Sequence, residues 1–318
     1  MRPGEAQRLG LVALGIAFAF ACTESRDPTR EKVDGLELVS TGRAITIGDI
    51  DPSEPAKRIR RLQPLADLLG RQLGEHGIER GSVVVARSIN EMAELLRSGE
   101  VDLLFDSAYP VLRVREASQG EVLLRRAVGE DFEYWSLFVA PRDGPVRQMG
   151  DLVGRTLALQ ETHSTSGYLL PMISLDKAGL VVERVEGPAS TIQPDRVGVF
   201  FSQDEENTVQ MLRDRLVDAG VISNQEFDNL PEDYRQSMVE VGRTPAAPRQ
   251  LVLARQGLSP RLAADVQRVL LSLTEDDRER MAADDPGFGW TWNFAPVDDN
   301  TVAVLSELEA LLSIASAP

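Results

Sequence analysis

A strand–helix–strand–helix–strand rhythm, met once near the start of the chain and again in its second half, restricts the fold more than any other feature. "AITIGDI" (44–50) alternates β-branched with small or polar residues and predicts a strand. Ser53 stands where it can cap the next helix, with Pro55 in the first turn. Ile59, Leu62, Leu65, Leu69 and Leu73 then recur at helical spacing. "SVVVAR" (82–87) predicts a second strand, Ser88 and Glu91 have capping-box spacing, and "VDLLF" (101–105) predicts a third strand. This order demands a largely parallel sheet with flanking helices, an α/β fold.

The rhythm returns at "TLALQ" (156–160), at the helix "GYLLPMISLDKAGL", and at "ENTVQMLRDRLVDAGVIS". In that last segment a helix runs into Val217-Asp218, as an earlier helix runs into Val101-Asp102. Two similar α/β lobes would give such an echo. The extended, proline-bearing segments "YWSLFVAPRDGP" and "TPAAPRQLVLARQGL" are the expected crossings between them. The expected lobes are 42–140 with 243–318, and 141–242.

Chemistry collects at the ends of the expected strands. "TLALQ" runs into "ETHSTSG", a loop at the C-terminal end of a parallel strand, where open α/β sheets bind ligands. Pro171 fixes the start of the following helix close behind, since proline is tolerated only near a helix N-terminus. The hydroxyls of Ser164, Thr165 and Ser166 and the first free N–H groups thus converge, which suits a tetrahedral oxyanion as well as ordinary capping. "FDSAYP" (105–110) also follows a strand, where Ser107 can donate to an anion and Tyr109 can close over it. "SQDEENT" (202–208) places three acids before a helix. A carboxylate only accepts, so it selects a ligand oxygen that keeps its proton, or an ammonium.

Composition narrows the function. The net charge of −16 argues against a nucleic-acid surface, which needs clustered Lys and Arg. One cysteine and two histidines make zinc a poor candidate, and no cofactor or metal is expected. The motifs of serine hydrolases, P-loop NTPases and zinc proteases are missing, and His163 beside Ser164 is no nucleophile pair, since sequence neighbours rarely face each other productively. An enzyme is not expected. Trp290 and Trp292 are read as core residues.

The first 22 residues have a signal-peptide layout: Arg2 and Arg8 around an apolar stretch that ends in small residues and Cys22. Cys22 so placed resembles a bacterial lipobox and is the expected lipid attachment, with 23–41 as a flexible tether.

Taken in order over roughly 42–315, these stretches resemble the solute-binding proteins of phosphate, phosphite and phosphonate ABC transporters. The most specific part is "DLVGRTLALQETHSTSGYLLPMISLDKAGL", a strand, a Ser-Thr-Ser-Gly-Tyr turn and a proline-bearing helix. The resemblance implies a type II periplasmic-binding-protein fold, two lobes that close on a ligand. It implies that Ser164, Thr165 and Ser166 hold the oxygens of a phosphorus oxyanion and that Tyr109 is a pocket aromatic. Where phosphonate binders carry a tyrosine after the second strand, "VARSIN" offers Ser88. Where they carry a histidine near "SQDEENT", this chain has Glu205 and Glu206. The implied protein is an extracytoplasmic, lipid-anchored monomer that delivers its ligand to an ABC permease. A sensor read by a membrane signalling partner is the alternative within the binding class, and an enzyme on the same fold the alternative outside it.

Overall fold

The computed structural model describes residues 42–283 and 292–314; the signal peptide, Cys22, the tether and Trp290 lie outside them. The chain opens with β1 (Arg43–Ile50), α1 (Pro55–Gln72), β2 (Ile78–Ala86), α2 (Ile89–Ser98), β3 (Leu103–Asp106), α3 (Ala108–Ser118) and β4 (Glu121–Arg126). After β5 (Glu133–Tyr134) come β6 (Ser136–Pro141), β7 (Thr156–Leu159), α4 (Leu170–Lys177), β8 (Val182–Arg184), β9 (Val197–Phe201), α5 (Glu205–Arg213) and β10 (Ala219–Ser223). They are followed by α6 (Asn224–Asn229), α7 (Glu232–Ser237) and β11 (Met238–Arg243). The return is made by β12 (Ala247–Pro248), β13 (Gln250–Ala254), α8 (Pro260–Leu271), α9 (Glu275–Ala283), β14 (Phe294–Pro296) and α10 (Asp299–Ala310).

The strands form two sheets, ordered β14-β4-β13-β3-β1-β2 and β11-β6-β10-β7-β9-β8. The expected parallel pairing holds β1 to β2 and β3, and holds β7 to β9 and β10 and β8 to β9. The returning strand β13 adds antiparallel ladders to β3 and β4, and β6 adds them to β10 and β11. The chain changes sheet between Tyr134 and Ser136, because Ser136–Pro141 pairs with β10 and β11. That is a few residues before the boundary at 140 read from the sequence. Between the sheets β5 and β12 pair with each other, Ala247 opposite Tyr134 and Pro248 opposite Glu133. This is the two-lobe architecture of type II periplasmic binding proteins.

Local chemistry explains the element ends. Ser88 caps α2 by accepting from the Glu91 amide at 3.2 Å, and the Glu91 carboxylate accepts from the Arg87 amide at 2.8 Å. Ser53 does not cap α1. No side chain does; Asp51 instead closes the turn that leads into α1, its Oδ1 accepting from both the Ser53 and Glu54 amides at 2.8 Å. Helix α1 lies so close on β2 that a Cβ on Gly81 would stand 1.9 Å from the Ala66 carbonyl oxygen. Trp292 is buried in the core, with the Arg126 guanidinium 4.4 Å over its ring. One continuous apolar cluster runs from Met92, Leu104 and Leu112 through Tyr134 and Ala247 into Leu157, Leu170 and Ile173, so the core passes through the β5–β12 ribbon.

Candidate functional site

The C-terminal ends of the parallel strands of both sheets face one cleft. A cavity of about 340 Å³ there is bounded by Asp49 and Asp106 from the ends of β1 and β3, and by Gln160 and Glu161 after β7. Gln203 to Glu206 close it after β9, and Tyr134, Arg249 and Gln250 come from the crossings. The N-terminal turns of α1 add Lys57, Arg58 and Arg61.

The serine-rich turn owes its shape to Pro171. Having no N–H, Pro171 cannot bond to the Gly167 carbonyl one turn back. That carbonyl accepts instead from the Gln160 amide at 3.0 Å, at the end of β7. The first turn widens over Thr165–Leu169, with the Leu169 amide reaching back to the Ser164 carbonyl at 3.1 Å. A Cβ on Gly167 would stand 2.4 Å from Gln160, so only glycine fits. Ser164 is the cap, its Oγ accepting from the Gly167 amide at 2.9 Å.

Five expected residues meet in the cavity: Ser107, Ser164, Ser166, Glu205 and Glu206 all line it. Glu205 is also structural, since one oxygen accepts from the Ser223 amide at 2.8 Å. Thr165 does not line the cavity. It is fully buried and joins the two lobes: its Oγ1 donates to Ser107 Oγ at 3.0 Å and accepts from the Tyr109 amide at 2.8 Å. Tyr109 packs on Tyr168 with ring centroids 6.3 Å apart and lines a neighbouring cavity, as does Ser88, whose hydroxyl is committed to the α2 cap.

Sequence reasoning missed two carboxylates, Asp49, which is buried, and Asp106, which is half-buried. Asp106 lies under Ser107, accepting from the Ser107 amide at 2.6 Å through Oδ1, while Oδ2 has no hydrogen-bond partner among the described residues. Burial, and then the nearby Asp49 charge, push the Asp106 pKa up to about 7. Burial raises Asp49 too, against the opposing pull of Arg58, whose guanidinium stands 4.0 Å away and bonds Asp51 at 2.8 Å. Arg249 stacks 4.4 Å over the Tyr134 ring and donates to Gln225 at 2.8 Å. Burial also raises the Tyr134 phenol, against the opposing charge of Arg249. His163 is held above its usual pKa by a hydrogen bond to Glu161, 3.2 Å away. A signal was available for the acids: in "IGDI" and "LLFDS" both stand at the C-terminal ends of parallel strands, where ligands bind.

The arrangement can surround a small polar solute with hydroxyl donors, a carboxyl whose protonated form burial favours, and guanidinium groups. Acids outnumber bases around it, which disfavours a bare dianion. Two lobes, a ribbon between them and a polar cleft at the strand ends define a solute-binding protein. The sequence model of the ABC-transporter phosphonate periplasmic substrate-binding proteins matches residues 50–302, and the chain belongs to that family. The fold is similar to that of XAC2383 from Xanthomonas citri bound to chloride ion, at 28% identity and a TM-score of 0.80, covering 86% of this chain and 98% of that one. The same protein bound to ATP matches at 27% identity and a TM-score of 0.79, covering 86% and 98%. PhnD1 from Prochlorococcus marinus in complex with methylphosphonate shares the fold at 16% identity and a TM-score of 0.59, covering 85% and 98%. The family is one of extracytoplasmic substrate-binding components that work with ABC permeases, not of enzymes. No helix among the described residues is long and apolar enough to cross a membrane.

Proposed function

We propose that the protein binds a protonated phosphorus oxyanion (phosphate, phosphite or a phosphonate) between its lobes and delivers it, without turnover, to an ABC permease. In this reading residues 42–134 with 247–283 and 292–314 form one lobe and 136–243 the other, and the monomer is tethered through a lipid on Cys22. The observation that carries it is the meeting of the Ser164–Ser166 turn with Ser107 and Asp106 across one cavity, at the C-terminal ends of both sheets. The hydroxyls donate to ligand oxygens, and Asp106, half protonated near neutral pH, donates through its buried oxygen. Glu206 and the free oxygen of Glu205 accept from a ligand hydroxyl, so an anion that keeps a proton fits and sulfate does not. Methylphosphonate is the ligand of PhnD1, and chloride and ATP are those of XAC2383, all of them anions.

Calorimetry with phosphate, phosphite, methylphosphonate and sulfate tests the reading. Ser166→Ala removes one hydrogen bond to a charged oxygen, about 1.5–3 kcal/mol, and so weakens the preferred oxyanion about 10–100-fold. Sulfate binding as tight as phosphate, or full affinity in Ser166→Ala, would refute it.

A further inference from the structure

A second cavity, of about 830 Å³, adjoins the first. Ile50 and His163 line both, so the cleft continues past them. The charge reverses there. Arg87 and Arg113 reach the second cavity from the β1–β2–β3 side and Arg184 from the end of β8, while Glu116 is the carboxylate among its described lining residues. In a chain of net charge −16, a cavity with more bases than acids runs against composition. Arg113 stands 3.0 Å from Glu116, and Arg87 only 3.9 Å from Glu91. Arg184 contacts no carboxylate among the described residues and lies 4.9 Å over the Phe201 ring, which packs on Tyr168 at 5.7 Å. Tyr168 in turn meets Tyr109 across the cleft. The guanidinium of Arg184 therefore rests on an aromatic wall that both lobes build.

We propose that this cavity is a second ligand subsite and that it takes a polyphosphate chain of at least two linked phosphate groups. A guanidinium presents its N–H groups in a planar fork that matches a phosphate edge, and stacking leaves the outer edge free to donate. The three forks enter from both lobes into a cavity more than twice the size of the first, which leaves room for more than one phosphate group between them. Arginines from both lobes also mean that a chain held there stabilises the closed lobe pair, which no group held by one lobe can do. The subsite stands on its own residues and does not need the first cavity to bind phosphorus.

The test is calorimetry of the purified full-length protein at fixed ionic strength, with orthophosphate, pyrophosphate and tripolyphosphate as titrants. Tripolyphosphate should bind at least ~10-fold more tightly than orthophosphate, the gain expected from one added charge-assisted contact. Arg113→Gln and Arg184→Gln should each weaken tripolyphosphate by about 10-fold and orthophosphate by less than about twofold, since only the longer ligand reaches them. Tripolyphosphate binding that is lost in the arginine variants but untouched by Ser166→Ala supports the subsite and counts against the oxyanion reading of the first cavity. Equal affinity for the three titrants, or arginine variants that bind tripolyphosphate like the wild type, overturns the subsite and leaves that reading standing.

Discussion

The two lobes use one device in two settings. In each, a helix runs through Val-Asp into a strand of the parallel sheet, and the aspartate accepts the backbone N–H of a threonine on the neighbouring parallel strand. Asp102 accepts from Thr46 at 3.1 Å, and Asp218 from Thr156 at 3.0 Å. Asp102 is buried and is neutralised twice, by Arg43 and Arg255, each at 2.9 Å. Asp218 stays partly in water, takes a second bond from the Thr156 hydroxyl at 3.0 Å, and has Arg155 no closer than 3.6 Å. One sequence signal thus marks a buried charge cluster in the first lobe and a solvated cap in the second, because the return segment supplies Arg255 to one sheet and nothing equivalent to the other.

The strand ends across the cleft differ in the same sense. β1 and β3 end in the acids Asp49 and Asp106, whereas β7 and β9 are followed by neutral Gln160 and Ser202. Gln160 donates to the Val221 carbonyl at 3.2 Å and Ser202 to the Leu159 carbonyl at 2.9 Å. The carboxylates at the strand ends themselves therefore belong to the first lobe, while those of the second lobe stand in the loops and helix start that follow its strands.

The largest effect should come from breaking the paired aspartates. Asp102→Ala leaves two arginines facing a buried site and should cost about 3 kcal/mol, the low end for a broken buried ion pair because Arg43 reaches water. Asp218→Ala removes solvated hydrogen bonds and should cost about 1 kcal/mol. Urea unfolding of both variants checks this, and equal losses would erase the distinction.

Next comes pH. The unfolded chain loses the Asp106 proton near pH 4, while the fold keeps it to about 7. Across that window the folded state holds more protons, so stability falls as pH rises, and the full penalty is present above about 7. Asp49 and His163, both raised, act in the same direction, and Asp51, lowered, acts only at the acid end. Asp106→Asn should gain melting temperature relative to the wild type as pH goes from about 4 to 8, with little difference at the acid limit. A constant offset across the range would mean the carboxyl titrates normally.

The smallest effect concerns the contact between the lobes. Thr165→Val keeps shape but leaves the Tyr109 amide without its acceptor, costing the closed form about 1 kcal/mol. Small-angle scattering should show a larger mean radius than the wild type. An unchanged curve would show that Thr165 packs without latching.

What the sequence disclosed was local. The Ser88 cap, the turn at Ser164 and the Val-Asp echo each depend on residues within a few positions, so spacing alone exposes them. Ser53 reads as the α1 cap in the sequence, but it lies in the turn that Asp51 closes, one residue short of the N-cap position at Glu54. The cavity itself joins Asp49, Asp106, Tyr134 and Arg249, which are far apart in the chain and meet only once both sheets are built. Thr165 reads like its serine neighbours in the sequence, yet its hydroxyl faces the other lobe because the widened turn rotates it there.

The β5–β12 ribbon sets the mechanics. Two short rods lie side by side, pinned at Tyr134–Ala247 and Glu133–Pro248. Such a linkage bends readily across its flat face and resists shear along its length, much as a strip hinge does. Pro248 stiffens one rod further by fixing its backbone torsion. Both covalent crossings between the two sheets are tied to each other by this pairing, and the Thr165–Ser107 contact lies across the cleft that the paired strip spans.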